Sequence, residues 1–134
     1  MSQGISVTIC DPRSRFLTRE RFPTVNLDDR WPDEAVAAFA PDTRSAVVTL
    51  SHDPKIDDPA LIAALDTPAL YVAALGSKAS HAARLARLSA AGLSTDQLAR
   101  VEGPAGVPIN AISAPEIALS IAGGMIRVFN KGLR

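Results

Sequence analysis

Three short polar runs hold most of the side chains in this sequence that could do chemistry. They are Asp11-Pro12-Arg13, Ser51-His52-Asp53-Pro54-Lys55 and Gly76-Ser77-Lys78-Ala79-Ser80-His81. Each follows an apolar, β-branched stretch. Their residue types suit an anionic, hydrogen-bonding ligand. Gly76 lets a ligand approach the backbone closely. Ser77 and Ser80 offer hydroxyls, and Lys55 and Lys78 offer cations. The N–H groups of a helix start carry partial positive charge and lack acceptors, so they bind phosphate. His52 beside Asp53 has the types of a base and its orienter, although adjacent residues seldom face each other. No nucleophile–base pair and no metal triad is visible, so no catalytic residue and no metal ligand is assigned.

Each candidate also has a plainer reading. Ser80 reads as a helix cap whatever else it does. His81 in a first helical turn reads as a solvated or packing residue. Asp53 before Pro54 is equally a turn former, and a lone Lys55 faces solvent. Asp57 and Asp58 read as helix capping, Arg84 and Arg87 as a polar helix face, and Cys10 as a buried, inert thiol. What raises the three runs above their parts is the element order that positions them.

Residues 5–10, 45–50 and 69–75 are near-continuous apolar runs that read as strands. A short helix over 14–20 and a short strand within FPTVN (22–26) fit between the first two. WPDEAVAAFAP reads as a helix, with Pro32 and two acids in its first turn and Pro41 beyond its end. Asp58 is a candidate N-cap, with Pro59 as a first helical residue. Ser80 or Ser77 can cap a helix ending near Gly92. Ser94 and Gln97 make a capping box for a short helix to Val101, and Ser113 and Glu116 make another. The latter opens a helix from about Pro115 to Phe129, whose Ile117, Ile121 and Met125 share a face. The longest irregular stretch is 101–113.

Strands alternating with helices require crossovers, which imply a mostly parallel sheet covered on both faces. The expected fold is therefore α/β, three-layered and Rossmann-like, as one domain over 1–134. In such a sheet all the strand exits lie on one edge, where ligands bind. The three polar runs are those exits, so they should converge. Asp11 stands where dinucleotide-binding folds place a ribose-contacting acid. Such folds carry a Gly-rich loop about 20 residues earlier, and only ten residues precede Asp11. Ordinary nicotinamide binding is therefore not supported.

The totals narrow the partners. The chain has 14 basic and 14 acidic residues, so it makes no electrostatic case for nucleic acid or an anionic membrane. Hydrophobic residues are 47% but aromatic ones only 4%, so the core must be built from Ala, Val, Leu and Ile. The single cysteine, Cys10, rules out an internal disulfide and fits a reducing compartment. No signal-peptide pattern and no apolar run of about 18 residues is present. The expectation is a soluble, cytoplasmic protein.

SHDPKIDDPALIAAL, ALYVAALGSKASHAARLARLSAAG and SAPEIALSIAG resemble the C-terminal Rossmann-like domain of the XdhC/CoxI family, the xanthine dehydrogenase accessory factors. DPRSRFLTRERFP and WPDEAV are similar to earlier segments of that domain. The resemblance spans Val7 to about Gly124. It implies a chaperone, more than a catalyst, for the maturation of molybdenum hydroxylases. Such a protein binds molybdenum cofactor (molybdopterin) or its nucleotide form and contacts a molybdenum hydroxylase or a sulfurtransferase. Carried over, His52, Asp53, Lys55, Gly76, Ser77, Lys78 and His81 become cofactor contacts, and Ser80 and Asp11 join them as neighbours on the same edge.

The sequence departs from that family in ways that predict structure. The usual opening strand and Gly-rich loop are missing, so the fold is a truncated Rossmann. One basic residue is lost where Ala79 stands, and GVPINA at 106–111 replaces a pattern with an acid and a glycine. In strand order 3-2-1-4-5-6 the missing strand is central. A gap is therefore expected between strands 5–10 and 45–50, closed by direct pairing or by another chain, which predicts a homodimer or heteromer. An interaction module that completes a heteromer is the second reading. A small nucleotide-using enzyme with His52 or His81 as acid–base is the third.

Overall fold

The structure is a computed structural model that describes residues 5–13, 17–21 and 24–131. In chain order its elements are β1 (Thr8–Cys10), β2 (Asn26–Asp28), α1 (Pro32–Phe39), β3 (Ala46–Thr49), α2 (Pro54–Leu65), β4 (Tyr71–Ala74), α3 (Lys78–Ala90), α4 (Thr95–Ala99), β5 (Val101–Glu102) and α5 (Ala114–Lys131). All described strand pairs are parallel. The α/β, Rossmann-like class read from the alternation is the class observed.

The strands form two separate sheets, β1-β2 and β3-β4-β5. Of the two ways to close the expected gap, direct pairing of β1 with β3 does not occur. Ladder parity shows which backbone groups this leaves. Val7 O and Asp28 O accept from Asn26 and Asp11, so residues 7, 9 and 11 face β2. The Thr8 and Cys10 N–H groups therefore point to the other edge. Ser45 O and Thr49 O accept from Tyr71 and Leu75, which turns the Ala46 and Val48 N–H groups away from β4.

The core lies over the three-stranded sheet. Leu61, Ala64 and Leu65 of α2 pack with Val72 and Ala74 of β4, Leu88 of α3 and Val101 of β5. Leu61 and Leu88 are the largest fully buried side chains. β4 is buried along its whole length, as a central strand covered on both faces should be, whereas β3 and β1 are mostly half-buried.

Several elements differ from the sequence reading. Residues 17–21 form a turn rather than part of a helix over 14–20, and residues 14–16 lie outside the described chain. The strand expected within 22–26 starts only at Asn26, and Phe22 and Pro23 lie outside the described residues. α2 begins at Pro54 with Asp53 as its N-cap, one turn before the expected start, so Pro59 sits inside the helix. Two prolines competed for the first-turn position. The Asp53 Oδ1 that accepts from Lys55 N–H at 3.0 Å decides for Pro54. α4 ends at Ala99, and Val101 and Glu102 instead pair with Val72 and Ala73 as β5. Two residues are too few to show a strand pattern in sequence.

Both capping boxes form. Ser94 Oγ accepts from Gln97 N–H while Gln97 Oε1 accepts from Ser94 N–H. Ser113 and Glu116 exchange the same pair of bonds. On α5, Ile117, Ile121 and Met125 are half-buried, while the fully buried positions are Ser120 and Gly124. A Cβ at Gly124 would lie 2.7 Å from the Tyr71 hydroxyl and 3.0 Å from Glu102 Oε2. The small residues, not the large ones, set how closely α5 approaches the sheet.

Candidate functional site

The turn after β3 is gathered by one buried carboxylate. Asp57, in the first turn of α2, accepts from Ser51 Oγ–H at 2.6 Å, from Ser51 N–H at 3.4 Å and from His52 N–H at 3.0 Å. It is 7% exposed. This corrects its reading as a helix cap: Asp57 holds the strand exit, and Asp53 caps the helix. The cost appears at His52, whose φ of +64° is left-handed, a conformation unfavourable to a residue with a Cβ. The imidazole is left exposed, and His52 and Asp53 do not form a base–orienter pair because the Asp53 carboxylate is spent on Lys55 N–H.

The turn after β4 is built on Gly76, with φ +145°. A Cβ there would overlap Ser80 Oγ and lie 3.4 Å from Arg84 Nη2, so the turn folds tightly onto α3. Ser77, not Ser80, is the N-cap: its Oγ accepts from Ser80 N–H at 3.1 Å. Ser80 lies one turn in, and its hydroxyl donates to Ser77 O at 2.9 Å. The Lys78 and Ala79 N–H groups lead the helix, where no carbonyl precedes them to accept. Lys55 and Lys78 are exposed.

These two turns meet. His52, Asp57 and Asp58 from one side and Ser80, Arg84 and Arg87 from the other line a cleft of about 200 Å³. Asp58 is bound by Arg87 at 2.7 Å, an α2–α3 ion pair across the cleft. The first polar run joins less directly. Arg13 Nε and Nη2 donate to the Asp11 carboxylate, each at 2.9 Å, and these bonds hold Asp11 below the usual carboxylate range. Arg13 lies within electrostatic reach of Asp53 and Asp57. Of the nine expected site residues only His52 and Ser80 line the cleft; Asp11 is committed to Arg13, and Gly76, Ser77, Lys78 and His81 stand at its edge of the sheet outside the lining.

Arg84 and Cys10 were also misjudged in sequence. Arg84, read as part of a solvated face, is 5% exposed. It donates to His81 Nδ1 at 3.1 Å and to Leu75 O at 2.9 Å. Its place on the inner face is visible in retrospect from Leu88, four residues on, which is fully buried. His81 is half-buried, and burial followed by the Arg84 charge holds its pKa below the ordinary histidine value. Cys10 is half-buried rather than buried, and burial together with the Asp28 and Asp11 carboxylates pushes its thiol up to about 11.

A larger, shallow groove of about 520 Å³ lies between α1, the end of α2 and the α3–α4 turn, lined by Asp33, Ile62, Asp66 and Leu93 among others. It borders the C-terminal ends of α2 and α3, away from the strand exits. Among the described residues no cluster of His, Cys, Asp and Glu has the geometry of a metal site. Among the described residues no helix is long and apolar enough to cross a membrane.

Comparison with known proteins shows the family and the fold. A family model described as the XdhC Rossmann domain matches residues 1–125. Over 96 residues the chain is 36% identical to the molybdenum cofactor insertion chaperone PaoD of Escherichia coli (strain K12), covering 72% of this chain and 30% of that protein. A crystal structure described as a xanthine dehydrogenase from Bacillus halodurans superposes with a TM-score of 0.79 at 24% identity, over 97% of this chain and 37% of that one. The chain thus spans about a third of the length of each of these two proteins.

Proposed function

The chain belongs to the XdhC Rossmann-domain family, and from that premise we propose that it is an accessory protein of molybdenum hydroxylase maturation that holds one end of the molybdenum cofactor at the Gly76–His81 turn, beside the cleft between the first turns of α2 and α3. The observation that carries this reading is the donor set at the Gly76–His81 turn. It offers leading helix N–H groups, the Ser77 hydroxyl and the Lys78 ammonium, with Lys55 at the neighbouring turn. Such a set suits the terminal phosphate of a pterin, by helix-start donors and point charge. A cleft of about 200 Å³ is smaller than the roughly 300–1,000 Å³ of a pocket enclosing a drug-sized molecule, so it takes a part of the cofactor and leaves the rest exposed for transfer.

The 36% identity to a molybdenum cofactor insertion chaperone supports the same role. Here the chain binds and presents a group; no residue pair in the cleft is built for bond-making, since Asp53, Asp57 and Asp58 are each held by a neighbour. The partners are a molybdenum hydroxylase that receives the cofactor or a sulfurtransferase that modifies it, in the cytoplasm, where a free Cys10 is at home. Titration of the purified protein with released molybdopterin, followed by pterin fluorescence, tests the reading. Saturable binding that weakens several-fold in Lys78→Ala and Ser77→Ala supports it, and an absence of binding overturns it.

A second reading is favoured by the unpaired edges of β1 and β3: an interaction module that completes its sheet by association, as a homodimer or a heteromer. Light scattering on the purified protein, alone and with its molybdenum hydroxylase, separates a self-associating module from one that stays monomeric until the partner is added.

A further inference from the structure

Arg84 is an expensive residue to bury. Its guanidinium is removed from water, yet no carboxylate among the described residues hydrogen-bonds to it. Asp57 and Asp58 favour its charge only through space, being engaged by Ser51 and His52 and by Arg87 respectively. An apolar side chain would fill this position without that desolvation. What the guanidinium accomplishes is specific: one nitrogen reaches the carbonyl of Leu75 at the end of β4, and another reaches Nδ1 of His81.

A guanidinium has donors only and does not deprotonate in proteins. Nδ1 of His81 must therefore accept with its lone pair, and a ring whose Nδ1 accepts is neutral with its proton on Nε2. The packing agrees. A Cβ at Gly103 would overlap the His81 ring, nearest to Nδ1 and then to its two neighbours Cε1 and Cγ. The Nδ1 edge is thus closed between Arg84 and the Gly103 backbone, and Nε2 belongs to the opposite edge. The charged groups of this corner are Arg84 and, acting through it, Asp57, Asp58 and Arg87; none is a carboxylate bonded to the imidazole.

We infer that Arg84 is a positioning residue that fixes His81 as a neutral Nε2–H donor, so that His81 gives a hydrogen bond to an acceptor oxygen of the bound cofactor and neither takes nor supplies a proton. The inference rests on the reading of residues 76–81 as part of the cofactor site. It disposes of His81 as an acid–base group and requires that the group it meets be an acceptor.

Long-range proton–nitrogen NMR on labelled, ligand-free protein tests the first half without any variant. The expected result is a single Nε2–H tautomer that stays neutral through the pH at which an ordinary histidine, near 6.5, takes its second proton. A predominant Nδ1–H tautomer, or a His81 that titrates at the ordinary value, overturns it. In Arg84→Met, His81 should regain an ordinary titration; in Arg84→Lys, the second variant should the first not fold, the tautomer signal should broaden into a mixture. Retention of the wild-type signature in a folded variant overturns the role of Arg84. The second half is read by molybdopterin titration. His81→Phe should lose at least tenfold in affinity and His81→Asn, which keeps a neutral donor, should recover most of it; unchanged affinity in His81→Phe overturns the contact. If wild-type protein binds no molybdopterin, the cofactor reading and this contact fall together, while the tautomer measurement still decides whether Arg84 positions His81.

Discussion

At the scale of single residues, the site is held by groups that the sequence offered in other roles. His52 is kept in a left-handed conformation by the Asp57 carboxylate, at a cost of about 1–3 kcal/mol for a residue with a Cβ. His52→Gly is therefore expected to raise stability by about 1 kcal/mol in urea unfolding while weakening molybdopterin binding, since the imidazole that lines the cleft is lost. A variant that is both less stable and equally tight-binding would show the conformation to be no burden and the ring no contact. Cys10 makes the opposite point. A thiol pushed up to about 11 is protonated at neutral pH, and only the thiolate is nucleophilic. Reaction with a maleimide or a disulfide reagent at pH 7 should be at least tenfold slower than for a free cysteine.

At the scale of elements, the starts of α1, α4 and α5 were readable, while the start of α2 was placed one turn late. Pro32 with two acids, Ser94 with Gln97 and Ser113 with Glu116 each announce a start through contacts within four residues. The end of α2 depends instead on a residue 35 positions away. Arg100 donates to Leu65 O at 2.9 Å, Thr67 O at 3.0 Å and Ala69 O at 2.9 Å, supplying the cation that the last turn of α2 lacks. Arg100→Ala should cost about 2 kcal/mol in chemical unfolding and free the segment 65–69, whereas Arg100→Lys, which cannot fork to three carbonyls, should recover only part. A loss no larger than that of an exposed surface substitution would show that the carbonyls are satisfied by water. The same distance problem hid β5, which exists only because β4 lies beside it.

At the scale of the whole molecule, the two sheets should behave as unequal halves. The buried core belongs to β3-β4-β5 and their helices, while the β1–β2 pair is three residues long on each strand, and each strand ends in a local ion pair, Asp11–Arg13 or Asp28–Arg30. The hydrogen bonds from Arg13 and Arg30 lower the folded pKa of both carboxyls. A lowered folded pKa means that their contribution is present above the unfolded value near 4 and is lost as pH falls through the folded one. Acidification should therefore open the β1–β2 half first, seen as amide exchange rising at Ile9 and Asp11 before Val47 and Thr49. At neutral pH the amides of Thr8, Cys10, Ala46 and Val48 should exchange fast in the isolated chain and become protected when a partner fills the gap. Equal protection of residues 46 and 47 in a monomer would contradict the unpaired edge.

By itself the amino-acid sequence determined the class of fold, the family and the two turns of the candidate site, because these follow from short-range signals: apolar runs, caps and motifs such as SHDPK and GSKASH. Only the tertiary structure decided which serine caps α3, that Asp57 gathers the 51–52 turn, that Arg84 lies against Gly76 and His81, and that β1 and β3 belong to separate sheets among the described residues. Each of those depends on which of several nearby groups a side chain or a backbone edge takes as its partner, as where Ser77 rather than Ser80 caps α3 and Asp57 turns to Ser51. Neighbours in the chain offer competing partners, and packing, not local propensity, settles which of them wins.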